Sequence, residues 1–204
     1  MKNVFALFLF LITFSLSAQD SFTKEIKKYR YELNLNFHDK DKSPLTKEDL
    51  KTFIALDFYA ADKKYKVIAK LVKEENPVVF GMPTTTDRKP LYIKYGVITF
   101  TLDGVEQQLP IYQNKDFGRD PQYKDYLFLP FTDKTSGTTS YGGGRYVDVL
   151  TTDENNDGTE ITIDFNKTYN PYCAYSGRYS CPITPKESHI TVEVRAGVKA
   201  YGKH

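Results

Sequence analysis

The dipeptide Asp103-Gly104 joins two long β-rich runs, Leu91 to Leu102 and Val105 to Tyr112. Asp-Gly supplies the positive φ angles of a tight two-residue turn, so the runs predict an antiparallel hairpin. Upstream, Tyr65, Val67, Ala69 and Leu71 alternate with Lys66, Ile68, Lys70 and Val72, the period-two pattern of a half-buried strand. Downstream, Tyr126 to Phe131, Arg145 to Leu150, Glu160 to Phe165 and His189 to Arg195 are further strand candidates, separated by polar or glycine-rich loops. About eight strands spaced in this way predict a mainly β fold, an antiparallel sandwich or barrel-like single domain. Ahead of them, Phe22, Ile26, Tyr29 and Leu33 recur at spacings of three and four. They predict a short amphipathic helix over 20–34 with Ser21 at its start. Thr46 is placed to cap a second short helical turn beginning at Lys47.

The first residues set Lys2 before an apolar run from Val4 to Phe14, followed by small residues up to Ala18. This is the pattern of a secretory signal peptide over 1–18, and export to the periplasm or medium is expected, with cleavage near Ala18. The run is too short for a membrane-spanning helix, and no later segment approaches the ~20 apolar residues one needs. No cysteine stands near the cleavage point to be lipidated. Residues 19–204 are then one domain, because no repeat or low-complexity linker divides them. The formal charge is only +2 and no basic run could track a phosphate backbone, which argues against a nucleic-acid partner.

Three stretches of the C-terminal half are unusual: Phe131-Thr132-Asp133-Lys134-Thr135-Ser136-Gly137, Tyr141-Gly142-Gly143-Gly144-Arg145-Tyr146, and Asp164-Phe165-Asn166 leading into Asn170-Pro171-Tyr172-Cys173-Ala174-Tyr175 and Cys181-Pro182. In this order they resemble the domain of unknown function numbered 1684, over residues 90–197. The resemblance implies no activity. Thr168, Thr184, Lys186 and the pair Ser188-His189 depart from the family pattern. A lone histidine at a strand start is read as structural.

Strand parity puts Arg145 on the face of Val147 and Val149, and Asp148 with Tyr146 on the other. Thr162, Asp164 and Asn166 lie opposite Ile161, Ile163 and Phe165, so no direct Arg145 to Asp164 ion pair is expected. Asp148, Thr162, Asp164 and Asn166 would form a polar row. The glycine run before Arg145 reads either as an anion-cradling loop or as a turn that needs glycine for its backbone. Asp153, Asn155, Asp157, Gly158 and Asp164 have calcium-loop spacing but lie between strands rather than helices, which favours a plain hairpin loop. Cys173 and Cys181 are the only cysteines; export favours a disulfide, with buried thiols or metal or redox chemistry as alternatives. Only three histidines are present, and no hydrolase signature occurs.

These features point to a pocket for a small polar or anionic ligand lined by some of Asp133, Thr135, Arg145, Asp164, Asn166 and Asn170. A carboxylate- or thiol-dependent envelope enzyme and a structural interaction module are the alternatives. Neither a cofactor nor a metal ion is expected. Intact mass of the protein from its native host is expected to fit a chain starting near Gln19; a mature species that retains Met1 to Ala18 would contradict export processing.

Overall fold

The computed structural model describes residues 21–116 and 123–202. The expected signal peptide lies outside the described residues. A helix, α1, runs over 21–38, and a short α2 follows over Lys47–Thr52. The Thr46 hydroxyl caps α2 by accepting the Asp49 amide at 3.1 Å. Seven strands come next: β1 (Lys66–Lys73), β2 (Phe80–Gly81), β3 (Leu91–Leu102), β4 (Val105–Asn114), β5 (Tyr126–Phe131), β6 (Arg145–Leu150) and β7 (Glu160–Asp164). They form one antiparallel sheet in the order β6-β5-β4-β3-β1-β7, with β2 paired to β3.

The β3–β4 hairpin turns at Asp103 (φ 50°) and Gly104 (φ 77°), the left-handed pair that an Asp-Gly turn supplies. Alternation then sorts the side chains. Ala69, Leu71, Ile98, Phe100, Leu109, Ile111, Leu127, Leu129, Val147, Val149, Ile161 and Ile163 face one core. The sheet curls around this core into a half-barrel. Phe131 at the end of β5 meets Phe165 just past β7 edge-on, at 5.2 Å between ring centroids. The opposite face of β3 to β6 carries a second, aromatic layer of Tyr92, Tyr112, Phe128 and Tyr146 with Met82. On the far edge the outward face meets water, and Ile68 of β1 is 69% exposed.

The segment expected as a strand over 189–195 is not one. His189 makes a single parallel bridge to Thr132, and the chain beyond it is irregular, although Ile190, Val194, Ala196 and Val198 are fully buried. Buried backbone without a ladder must find partners elsewhere. Here the partner is Arg145, whose side chain is 0% exposed. Its Nη1 donates to the carbonyls of Ala196 (2.6 Å) and Val198 (3.3 Å), and Nη2 to that of Val194 (2.8 Å) and to Asp133 Oδ1 (3.2 Å). Asp133 Oδ2 in turn accepts the Val194 amide at 2.7 Å and the Thr135 amide at 3.1 Å. One buried ion pair thus replaces a strand in fastening the C-terminal segment to the sheet.

The expected polar row also breaks up. β6 pairs with β5 and β7 with β1, at opposite ends of the strand order, so Asp148 and Thr162 are not ladder neighbours. Loop 154–159 is closed by hydrogen bonds of its own side chains. Thr159 donates its amide to Asn155 Oδ1 and Asp157 Oδ1, both at 3.0 Å, while Asp164 caps the 3-10 turn that follows β7.

Candidate functional site

The six residues expected to share a pocket separate into three groups. Asp133, Thr135 and Arg145 form the clamp described above, with the Thr135 hydroxyl bonded to Asp133 Oδ2 at 2.8 Å. Asp164 accepts the Asn166 amide at 3.0 Å, and Asn166 binds both backbone groups of Asp62, at 2.9 and 3.0 Å. Asn170 donates to the Lys199 carbonyl at 2.9 Å and to Tyr175 Oη at 3.2 Å. Of the six, only Asn170 lines the cavity described next. The glycine run answers to its backbone: Gly144 has φ 91°, and a Cβ there would meet Phe131 O at 2.7 Å.

A cavity of about 530 Å³ lies on the opposite side of the sheet from the clamp's core. Its floor is the outward face of β5 and β6, where Phe128 and Asp148 are directly paired and Tyr126 and Tyr146 flank them. Helix α1 forms the roof with Tyr29, Leu33, Asn36 and Phe37, which share one helix face by their spacing. Segments 169–175 and 179–182, with Arg88, Tyr92 and Asn114, supply the remaining wall. α1 is fastened there by Tyr29, whose hydroxyl donates to the Lys167 carbonyl at 2.7 Å, and by Phe37, edge-on to Tyr175 at 4.8 Å.

At the floor, Asp148 is met by two phenols. Tyr126 Oη and Tyr169 Oη both donate to its Oδ1. Tyr169 reaches it because residues 146 and 169 exchange backbone hydrogen bonds, at 2.9 and 3.0 Å, which extends the β6 edge by one residue. Asp148 retains exposed surface, and the space it faces is the cavity. Protein packed around it withdraws the carboxyl from bulk water and raises its pKa, against the lowering effect of the two phenol donors. The phenols of Tyr126 and Tyr169 are shifted upward, first by the same withdrawal from water and then by the neighbouring carboxylate. An open, pKa-shifted carboxyl among aromatic walls can anchor a polar ligand or exchange a proton with one.

Sequence reasoning passed over this site. Parity already puts Asp148 on the face of Tyr146, but nothing local reveals that α1, more than a hundred residues earlier, covers that face. Among the described residues no group of three or more His, Cys, Asp or Glu side chains could hold a metal ion. No helix among them is long and apolar enough to cross a membrane.

The family described as Protein of unknown function (DUF1684) matches residues 51–199. The chain belongs to this family. A solution NMR structure of the uncharacterized protein from gene locus rrnAC0354 of Haloarcula marismortui is similar to it at 32% identity, covering 92% of this chain and 99% of that one, with a TM-score of 0.70. No curated protein matches. The DUF1684 match takes in the clamp and the cavity floor, Tyr126, Asp148 and Tyr169, and begins after the roof helix α1.

The disulfide expected between Cys173 and Cys181 is not formed in this DUF1684 protein, and both are free thiols. Cys181 Sγ instead accepts the backbone amide of Cys173 at 3.1 Å. The two side chains remain hydrogen-bonded, and this chiefly lowers the Cys173 pKa to about 7, against the opposing effect of burial; the Cys181 thiol is pushed up. Because thiolate is the reactive form, iodoacetamide should modify Cys173 before Cys181, with a rate that climbs through about pH 7 and then levels. Equal slow labelling of both, with a midpoint near the ordinary thiol value of about 8.5, would contradict this picture.

Proposed function

We propose that this protein binds a small organic ligand in the cavity between α1 and the outer face of β5 and β6, with Asp148 as the polar anchor. The observation that carries the reading is the arrangement of Asp148: its Oδ1 accepts both phenols, and its Oδ2 has no hydrogen-bond partner among the described residues. Asp148 lines the cavity and keeps exposed surface, so this oxygen is left for water or a ligand to bond. The clamp carboxylate differs, since Asp133 has both oxygens filled. The cavity is also within the range of size typical of small-molecule sites. Part of its wall, 169–175 and 181–182, comes from the third of the unusual sequence stretches, which gives that stretch a role beyond packing.

Asn36 sits on the cavity-facing side of α1 and is exposed, and its side chain has no hydrogen bond among the described residues, so Asn36→Trp should fill the space at little cost in stability. A thermal-shift screen of sugars, carboxylates, phosphates and amines is expected to yield at least one compound that raises the melting temperature of the wild type. At a hundredfold excess over Kd a ligand adds about 2.7 kcal/mol, a rise of several degrees for a domain of this size. Asn36→Trp should abolish that rise. Equal stabilisation of the two proteins would place binding elsewhere, and no response to any class would refute the reading.

A further inference from the structure

We infer that the ligand is an organic ammonium bearing at least one N–H, docked through that N–H on Oδ2 of Asp148; this rests on the reading of the cavity as a ligand site. Charge is the first ground. Among the described residues, Asp148 and Arg88 are the only aspartate, glutamate, lysine, arginine or histidine side chains that line the cavity. Arg88 turns two of its N–H groups to Ser180, Nε to Oγ at 3.2 Å and Nη2 to the carbonyl at 2.7 Å, and forms no ion pair with Asp148. Among the described residues the carboxylate therefore has no bonded cationic partner. A carboxylate drawn into a protein is stabilised best by a bonded cation, and here the ligand is the remaining source of one.

Hydrogen-bonding capacity is the second ground. The two phenols that could have satisfied both carboxylate oxygens converge on one of them. Several other hydroxyls around the wall are engaged within the fold: Tyr29 donates to the Lys167 carbonyl, Tyr146 to the Pro182 carbonyl, and Tyr175 receives Asn170. A sugar or other polyol needs many unengaged donors and acceptors, and this wall offers few. An anion would enter the same space as the Asp148 carboxylate, which repels it. What the wall does offer a cation is aromatic surface, from Phe37, Phe128, Tyr92, Tyr146 and Tyr169, whose π-faces attract positive charge. The perturbation of Asp148 agrees, since withdrawal from water and the two phenols account for it, with no lysine or arginine contributing.

The test is calorimetry on the wild-type chain at neutral pH with phenethylamine, putrescine and agmatine, and with 2-phenylethanol and 1,4-butanediol as neutral counterparts and phenylacetate as the anionic one. At least one amine should bind tenfold or more tighter than its neutral counterpart. Asp148→Asn should remove that preference, and Asn36→Trp should remove binding altogether. The amine-to-alcohol comparison on the wild type stands even if Asp148→Asn fails to fold. Failure of all three amines, or an alcohol or phenylacetate binding as tightly as its amine, overturns the ammonium assignment. If a neutral or anionic compound binds and Asn36→Trp abolishes it, the cavity reading survives that loss. An amine that binds Asn36→Trp as well as wild type overturns the cavity reading itself.

Discussion

The Arg145 guanidinium is the one group on which the C-terminal third depends. A charged side chain with no exposure keeps its proton under all ordinary conditions, so burial can be tolerated only if the donors are bonded. Four acceptors meet them: Asp133 and the carbonyls of Val194, Ala196 and Val198. The bond network works in both directions. It bonds both terminal nitrogens of the cation, leaving Nε without a partner among the described residues, and it gives an irregular buried segment some of the backbone partners that a strand would have had from a ladder. With residues 194–198 fixed, Val198 donates its amide to the Thr168 carbonyl at 2.9 Å and Asn170 reaches the Lys199 carbonyl. Tyr169 lies between those two anchor points, which places its hydroxyl at Asp148. The clamp and the cavity are thus separate features joined by a short stretch of chain.

This division of labour explains why the unusual stretches look functional in sequence. Asp133, Thr135, Arg145, Asp164 and Asn166 are polar, lie in loops or at strand ends, and sit among glycines. These are also the qualities of residues that replace regular hydrogen bonding where the chain turns. Gly144 serves the same purpose, leaving room for Thr132 and Thr184 beside Arg145. The proposed ligand cavity lies on the far side of the sheet, where polar side chains are set among aromatic ones.

Much of the sheet was legible because its determinants are local. Asp103-Gly104 and the alternating runs marked the β3–β4 hairpin, β1, β5, β6 and β7, and the spacing of Phe22, Ile26, Tyr29 and Leu33 marked α1, which extends to residue 38. The family was legible from the order of its motifs. Residues 189–195 misled, since Ile190 and Val194 are apolar and buried as in a strand while their backbone partners are a distant guanidinium and carboxylate. Parity correctly separated Arg145 from Asp164, whereas its pairing with Asp133 is shown only by the structure. Asp148 stayed hidden for the opposite reason: its strand position was readable, but its significance comes from α1, Tyr126 and Tyr169 converging over it, and sequence distance conceals that. For Cys173 and Cys181, spacing permitted a disulfide, but the local backbone sets the Cys181 sulfur against an amide instead.

The most direct test of this account is Arg145→Lys, measured for stability and for ligand response together. One ammonium cannot span Asp133 and three carbonyls as the planar guanidinium does, so unfolding free energy should fall by about 1–3 kcal/mol. At temperatures where the variant remains folded, its affinity for whatever the wild type binds should be unchanged, because Arg145 does not line the cavity. A variant as stable as the wild type that has lost ligand binding would contradict the account, since it would move Arg145 from the scaffold into the site.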